Sequence, residues 1–175
     1  IDLHTLPEEA FMSAQQHFLT QCLYRFETRA KAVVLDLLEP RWVISSAPYR
    51  GGLSQSRYLV NYTVPHDFFA ENLNGAIEHK LLTLDLPTQQ TTCVMTAVNV
   101  DSYCYAQALV EEVKARVYIT MGLGNLSSPG YSSLAVSQPG TINILALVQA
   151  DLPVAAMVET IQIISEVKAR CLQGL

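Results

Sequence analysis

A stretch of 34 residues without a formal charge, from Val117 to Ala150, constrains the fold of this chain more than any other feature. A second uncharged stretch of 15 residues runs from Leu86 to Val100. Neither predicts a membrane span, because polar residues, Gly or Pro interrupt each stretch before about 18 apolar residues accumulate. The stretches therefore form central strands joined by a Ser/Gly-rich loop, or they line a pocket for a large neutral ligand. Such a pocket binds through amides and hydroxyls, because unpaired buried charges are strongly unfavourable.

The composition narrows the classes of function. The chain has 175 residues, of which 50% are hydrophobic and 15% are charged, whereas about 25% of the residues of an ordinary domain are charged. This length fits one domain, and the high hydrophobicity excludes disorder. The net charge of −5 disfavours nucleic acid and anionic membranes as partners, because both require clustered Lys and Arg. The low charge content leaves room for a homo-oligomer interface.

The cysteines and histidines predict neither disulfides nor a metal site. The four cysteines form no C-x-x-C pair and stand among apolar or neutral residues: Cys22, Cys93, Cys104 and Cys171. Buried free thiols in a reducing cytoplasm are therefore expected. The four histidines are scattered and show no metal-ligand spacing. No signal-peptide pattern opens the sequence, which also favours a cytoplasmic location.

Hydrophobic periodicity predicts helices at both ends of the chain and strands between them. Thr5-Leu6-Pro7-Glu8 has the pattern of a helix start, and apolar residues follow at helical spacing to Cys22. A short helix is predicted at 72–81, and a helix is the alternative to strand for 102–113. The expected fold is a single α+β domain with a mixed, largely antiparallel sheet, packed helices and a helical extension over residues 1–30. Strands are predicted at 23–29, 32–38, 41–46, 58–64, 92–98, 103–110, 114–121 and 141–149.

The clearest element is an amphipathic helix over 152–173, with Asp151 as its predicted cap. Lys168 falls within the apolar arc of this helix and Ser165 lies at the edge, whereas Glu166 is about 160° away around the axis. A lysine held against apolar surface can act as a general base, and Ser–Lys pairs are a known catalytic arrangement. The alternative is that only the stem of the side chain is buried and the ammonium group reaches water.

Two glycine-led turns flank the Ser/Gly-rich loop. Gly122-Leu123-Gly124-Asn125 follows a predicted strand, and Gly140-Thr141-Ile142-Asn143 leads into the next one. Glycines let main-chain N–H groups approach a ligand closely, although neither turn has the other elements of a dinucleotide-binding motif. We expect the two turns to converge around one ligand.

Several short segments occur in an order that resembles one known family. They are Ser45-Ser46-Ala47, Gly51-Gly52, Asn61, Val64-Pro65, Met95-Thr96-Ala97, Thr120–Asn125, Pro129-Gly130, Gly140–Asn143 and Glu166-Val167-Lys168. Over roughly residues 40–175 this set is similar to that of the adenosylcobinamide amidohydrolases. Two positions depart from the family pattern: Val167 stands where Ala is usual, and Gly124 stands where Ser or Ala is often found.

The resemblance implies an enzyme of corrinoid salvage. It would hydrolyse the amide that joins aminopropanol to the corrin ring of adenosylcobinamide, releasing adenosylcobyric acid. The corrinoid is then substrate, and no cofactor or metal is expected. A corrinoid-binding domain without turnover and a hydrolase of another small amide are the alternatives. The binding residues expected are Gly51, Gly52, Asn61, Thr96, Gly122, Gly124, Asn125, Gly140, Asn143, Ser165 and Glu166.

The catalytic candidates are individual residues rather than a motif. Amide hydrolysis requires an activated nucleophile, an oxyanion stabiliser and an acid for the leaving amine. None of the established hydrolase motifs is present. Lys168 is the first candidate, and Thr141 can present a hydroxyl at the start of a strand. The adjacent pair His66 and Asp67 is a further candidate, for which an exposed loop position without catalytic function is the alternative.

Overall fold

Four strands form the larger of two sheets in the computed structural model, which describes residues 24–124 and 141–173. The strands lie side by side in sequence order. The first three strands pair antiparallel, whereas the third and fourth pair in parallel. A parallel pair needs a crossover connection, and helix α1, Leu73–Thr83, lies between these two strands in the sequence. The strands are β1 Arg25–Arg29, β2 Ala32–Ser45, β3 Gly52–Thr63 and β4 Thr91–Thr96.

A second sheet of three antiparallel strands follows, and a long helix ends the described chain. The strands β5 Cys104–Val110, β6 Val113–Met121 and β7 Ile142–Gln149 are paired in sequence order. Helix α2 covers Val154–Leu172. This architecture confirms the predicted α+β class with a mixed, largely antiparallel arrangement and a long C-terminal helix. It also confirms the hairpin rather than the helix at 102–113. Neither α1 nor α2 is long and apolar enough to cross a membrane.

Alternation along β2 and β3 divides the core into two layers. Residues on one face, including Val34, Val60 and Tyr62, pack with Ile77 and Leu81 of α1. Residues on the other face pack against the second sheet, where Leu35, Leu37 and Leu59 cluster with Tyr118. Because successive strand residues point to opposite faces, a strand that is apolar on both faces must lie between two layers. The larger sheet is therefore covered by α1 on one side and by the second sheet on the other.

Strand β2 corrects the prediction of two separate strands at 32–38 and 41–46. It is one strand with an irregularity in its pairing with β3, between Asp36 and Arg41. Pro40 lies within the irregularity, where its missing N–H interrupts no regular ladder. Leu38 has a φ of 67°, and its N–H donates to the Asp36 Oδ1 at 2.9 Å. A bulge of this kind bends a strand without ending it.

The connection between β2 and β3 also differs from the prediction, because β3 begins at Gly52 rather than at residue 58. A Cβ atom at Gly51 would lie 2.2 Å from the main-chain oxygen of Ala47, so the turn excludes a side chain there. Gly52 has a φ of 78°, a conformation that glycine adopts without strain. The two glycines therefore let β2 and β3 extend as far as the pair Ser45 and Gly52.

Only the first of the two described helices begins with a side-chain cap. Asn72 caps α1, and its side-chain oxygen accepts a hydrogen bond from the N–H of Gly75 at 3.0 Å. The predicted cap Asp151 is wrong, because the N-cap of α2 is Pro153, which makes no side-chain hydrogen bond to the helix. Proline fixes φ near the helical value and donates no hydrogen bond, so it is tolerated where a helix begins.

The expected burial of the cysteines is confirmed at one of the three described positions. Cys93 is buried in the layer between the larger sheet and α1, and burial raises the pKa of its thiol to about 12. Cys104 and Cys171 are exposed, which contradicts the prediction. Cys104 lies between two tyrosines and Cys171 between Arg170 and Leu172, and strand β5 and helix α2 turn these two side chains outward.

Candidate active site

A cleft of about 790 Å³ lies between β2, β7 and α2. Its volume falls within the range that holds small organic ligands. Every residue of β7 lines the cleft, and the more buried side of α2 forms the opposite wall. The residues that line it are Tyr24, Leu37, Arg41, Trp42, Val43, Ile44, Ser45, Ser46, Leu59, Val94, Lys114, Arg116, Ile142–Leu152, Met157, Thr160, Ile161, Ile164, Ser165 and Lys168.

The expectation of an uncharged pocket holds for one wall only. The β7 wall belongs to the uncharged stretch, as predicted. The remaining walls carry four cations, Arg41, Lys114, Arg116 and Lys168, against the single carboxylate of Asp151. The sequence prediction was wrong here because these cations come from segments outside the uncharged stretch. The cleft is thus basic although the whole chain carries a net charge of −5.

Helix α2 directs Lys168 and Ser165 into this cleft, together with Ile161 and Ile164. The three-residue spacing of Ser165 and Lys168 places both on one side of the helix, as the periodicity predicts. Lys168 is exposed rather than enclosed, so its ammonium group is open to solvent or to a ligand. Glu166 does not line the cleft, which agrees with its position about 160° away around the axis.

A chain of three polar side chains joins the two sheets beside the cleft. The Asn143 Nδ2 donates to the Asn61 Oδ1 and to the main-chain oxygen of Met95, both at 2.9 Å. The Asn61 Nδ2 donates in turn to the Thr120 Oγ1 at 2.8 Å. Asn61 and Thr120 are buried, and a buried amide needs such partners to offset its lost hydration. Two predicted binding residues, Asn61 and Asn143, therefore meet in space.

The two glycine-led turns meet where β6 ends and β7 begins. The N–H of Gly122 donates to the main-chain oxygen of Thr141 at 3.0 Å. Asn125 and Gly140 lie outside the described residues, and Gly124 is exposed. Of the residues of these turns that the structure describes, Thr141, Gly122 and Gly124 are not among those that line the cleft.

Five other predicted residues lie away from the cleft lining. Thr96 is buried at the end of β4, where its hydroxyl oxygen accepts the N–H of Val98 at 3.1 Å. His66 and Asp67 are exposed in the loop after β3, which corresponds to the alternative of an exposed loop. Gly51 and Gly52 shape the turn between β2 and β3 and are exposed as well.

Sequence reasoning missed a buried arginine among aromatic side chains. Arg116 donates hydrogen bonds to the Tyr24 hydroxyl and to the Gln107 side chain. The hydroxyls of Tyr24 and Tyr118 lie 2.8 Å apart, and burial, with this hydrogen bond, raises the pKa of Tyr24. Phe26 stacks on Tyr118 at 4.7 Å between ring centroids. The alternation in 114–120 could have indicated that Arg116 shares the inward face with Tyr118.

Fold and cleft together define an α+β protein with a ligand-sized cleft lined by amide, hydroxyl and cationic groups. Such groups are suited to a ligand that is rich in hydrogen-bonding groups. Among the residues that the structure describes, no three His, Cys, Asp or Glu side chains lie close enough to hold a metal ion.

The chain belongs to the adenosylcobinamide amidohydrolase family, whose model matches residues 16–175. The protein is thus an amidohydrolase of cobamide salvage, which cleaves a C–N bond of adenosylcobinamide. The match begins at residue 16, well before the region from about residue 40 in which the motifs resemble the family. No curated protein and no solved structure matches the chain.

Proposed function

We propose that the cleft between β2, β7 and α2 binds adenosylcobinamide and that Lys168 is the catalytic residue for hydrolysis of its aminopropanol amide. One observation carries this proposal: Asn143, Ser165 and Lys168, predicted from separate segments, line the same cleft. Four further cleft residues, Ser45, Ser46, Trp42 and Arg41, surround them with hydroxyl, aromatic and cationic groups.

The chemistry requires one proton to move from the nucleophile to the leaving nitrogen. The Lys168 ammonium group donates a proton to the leaving nitrogen as the C–N bond breaks, and its amine then takes a proton from the water whose oxygen has bonded to the amide carbon. Aminopropanol therefore leaves as the amine, and the corrinoid retains the carboxyl group. Ser165, one turn earlier on α2, is in place to act as the nucleophile instead of water, in which case an acyl-enzyme forms and is then hydrolysed.

The cationic walls suit the charge that develops in this reaction. The carbonyl oxygen becomes negative as the nucleophile adds, and the product is a carboxylate. Arg41, Lys114 and Arg116 supply fixed positive charge around the cleft, which favours both negative species over the uncharged amide.

Substitution of Lys168 tests the assignment of the site. Lys168→Met removes the ammonium group and keeps much of the apolar stem, so we expect a folded protein with turnover of adenosylcobinamide reduced by at least about a hundredfold. Arg170→Met is the matched control, because it removes a cation from the same helix at a residue that does not line the cleft. Release of adenosylcobyric acid and the melting temperature are measured for both variants.

The outcomes separate the competing functions. A folded Lys168→Met protein with full activity would contradict the proposed site. A wild-type protein that changes the corrinoid spectrum without forming product would indicate a binding domain, and no spectral change would indicate another amide substrate. Ser165→Ala distinguishes a serine nucleophile from water. Turnover is lost in this variant if Ser165 is the nucleophile, and it is retained if water is.

Three further features of this enzyme are proposals of the same kind. Turnover needs no metal or cofactor, so dialysis against a chelator is expected to leave the rate unchanged. The enzyme works in the cytoplasm, a reducing compartment that suits its free cysteines. Its low charge content favours a homo-oligomer, which sedimentation velocity would detect as a mass above 19.3 kDa.

A further inference from the structure

We infer that Asn143 presents its side-chain oxygen, Oδ1, to the ligand as a fixed acceptor that selects corrinoids carrying N–H groups. This inference rests on the proposed binding of the corrinoid in the cleft. It assigns a specificity role to one atom, and it makes Asn61 the positioning residue that holds this atom in place.

The orientation of the Asn143 amide is set by a main-chain carbonyl. The oxygen of Met95 can only accept, so the atom 2.9 Å from it must be the donor Nδ2 rather than Oδ1. The second hydrogen of the same Nδ2 is taken by the Asn61 Oδ1, also at 2.9 Å. If the Asn143 amide were turned over, its Oδ1 would face the Met95 oxygen and the Asn61 Oδ1. Each contact would then join two acceptors, which excludes that arrangement.

Asn61 is itself held in one orientation. Its Nδ2 donates to the Thr120 Oγ1 at 2.8 Å, and both residues are buried between the sheets. A hydroxyl can donate or accept, so Thr120 alone would allow either orientation of Asn61. The Met95 carbonyl fixes the orientation of the Asn143 amide, and Asn143 donates to Asn61. The donor and acceptor of each hydrogen bond from Met95 to Thr120 are therefore determined.

The remaining acceptor of Asn143 is the Oδ1 atom. Both hydrogens of Nδ2 are used, and within the described parts of the chain Oδ1 accepts no hydrogen bond. Asn143 is half-buried and lines the cleft. A carbonyl oxygen that is fixed in place prefers a donor and disfavours another acceptor. The carboxamide side chains on the rim of a corrin ring offer N–H donors, whereas ester groups of similar size offer none.

Two corrinoid probes that differ in their side-chain groups test the selection. One probe is adenosylcobinamide, and the other is a corrinoid whose side-chain carboxamides are replaced by methyl esters. Binding is read from quenching of Trp42, the only tryptophan of the chain and a cleft residue, within the mixing time of a stopped-flow instrument and before hydrolysis. We expect the wild-type protein to prefer the amide probe, and Asn143→Ala to reduce that preference by about three- to tenfold.

Two further variants separate ligand binding from the support of the fold. Thr120→Val removes the hydrogen bond between Thr120 and Asn61, which does not involve Asn143. It should lower the melting temperature while leaving the amide preference unchanged. Asn143→Ser removes the Oδ1 acceptor but keeps a polar side chain, and it should lose the preference as Asn143→Ala does, which provides a test even where Asn143→Ala does not fold. An unchanged preference in a folded Asn143→Ala or Asn143→Ser protein would overturn the inference. A wild-type protein that binds neither probe would overturn the proposed site as well.

Discussion

At the scale of single residues, the bulge in β2 depends on one carboxylate. Asp36 accepts hydrogen bonds from the Arg57 side chain at 2.8 and 3.0 Å and from the N–H of Leu38 at 2.9 Å. These contacts, above all those from Arg57, hold the pKa of Asp36 below its ordinary value. Asp36 therefore ties the irregular part of β2 to β3, next to the residues of β2 that line the cleft.

Asp36→Asn is expected to lower the melting temperature at pH 7 by about 1–3 °C, because the charge-assisted pair with Arg57 is lost. A carboxyl group whose pKa is lowered by folding stabilises the protein above the pKa of the unfolded state. This contribution disappears as the pH falls through the folded-state value. The difference between the two proteins should therefore shrink below about pH 4. Thermal melts from pH 3 to 8 check this, with Glu39→Gln in an exposed ion pair as control. A difference that does not vary with pH would contradict the prediction.

The cleft residues that can be predicted from the sequence are those whose position depends on local helix geometry. Lys168 and Ser165 follow from the 100° rotation per residue of a helix, so their shared side was predictable. Arg116 was not predictable as a cleft residue, because its surroundings come from Tyr24 and Gln107 on other elements. The contact between Asn61 and Asn143 also depends on how two sheets pack. The family resemblance pointed to both as binding residues but did not predict that they meet.

At the scale of elements, the turn between β2 and β3 is the point most sensitive to a small change. Gly51→Ala would place a Cβ atom 2.2 Å from the main-chain oxygen of Ala47. A main-chain atom cannot move aside without shifting the turn, so we expect the free energy of unfolding to fall by about 2 kcal/mol or more. Gly52→Ala is the matched control, since it meets no atom within 4 Å and is strained only by its φ of 78°.

Denaturant unfolding of both variants measures the difference. The control should lose about 1 kcal/mol, the ordinary penalty for a side chain in the left-handed region. Equal losses at the two positions would contradict steric exclusion at Gly51. They would favour backbone conformation as the common cause.

The strand boundaries that the sequence mispredicted, in β2 and at the start of β3, depend on contacts between strands. Pro40 predicts a break between strands, but the irregularity in pairing between Asp36 and Arg41 accommodates it. The early part of β3, from Gly52 to Arg57, carries small and polar residues without alternation. It becomes a strand because β2 pairs with it, and long-range pairing of this kind leaves no local pattern.

At the scale of the whole molecule, charge is distributed unevenly. The chain has a net charge of −5, yet the described lining of the cleft holds four cations, Arg41, Lys114, Arg116 and Lys168, and one carboxylate, Asp151. Glu39, which is not a lining residue, pairs with Arg41 at the surface. A basic cleft in an acidic protein attracts anions locally while the outer surface repels them. If the corrinoid binds in this cleft, as proposed, the carboxylate product is held more strongly by charge than the amide from which it forms.

Inhibition by adenosylcobyric acid should therefore weaken as salt is added. Screening shortens the range of a charge from about 10 Å at 0.1 M salt to about 3 Å at 1 M. We expect the inhibition constant of the product to rise at least about threefold over this range, whereas the KM of the uncharged amide group changes less. Arg41→Gln should reduce this salt dependence, and Arg29→Gln, on β1 and outside the cleft lining, should not. Product inhibition that is insensitive to salt, or equally altered by both variants, would show that the cleft cations do not contact the carboxylate.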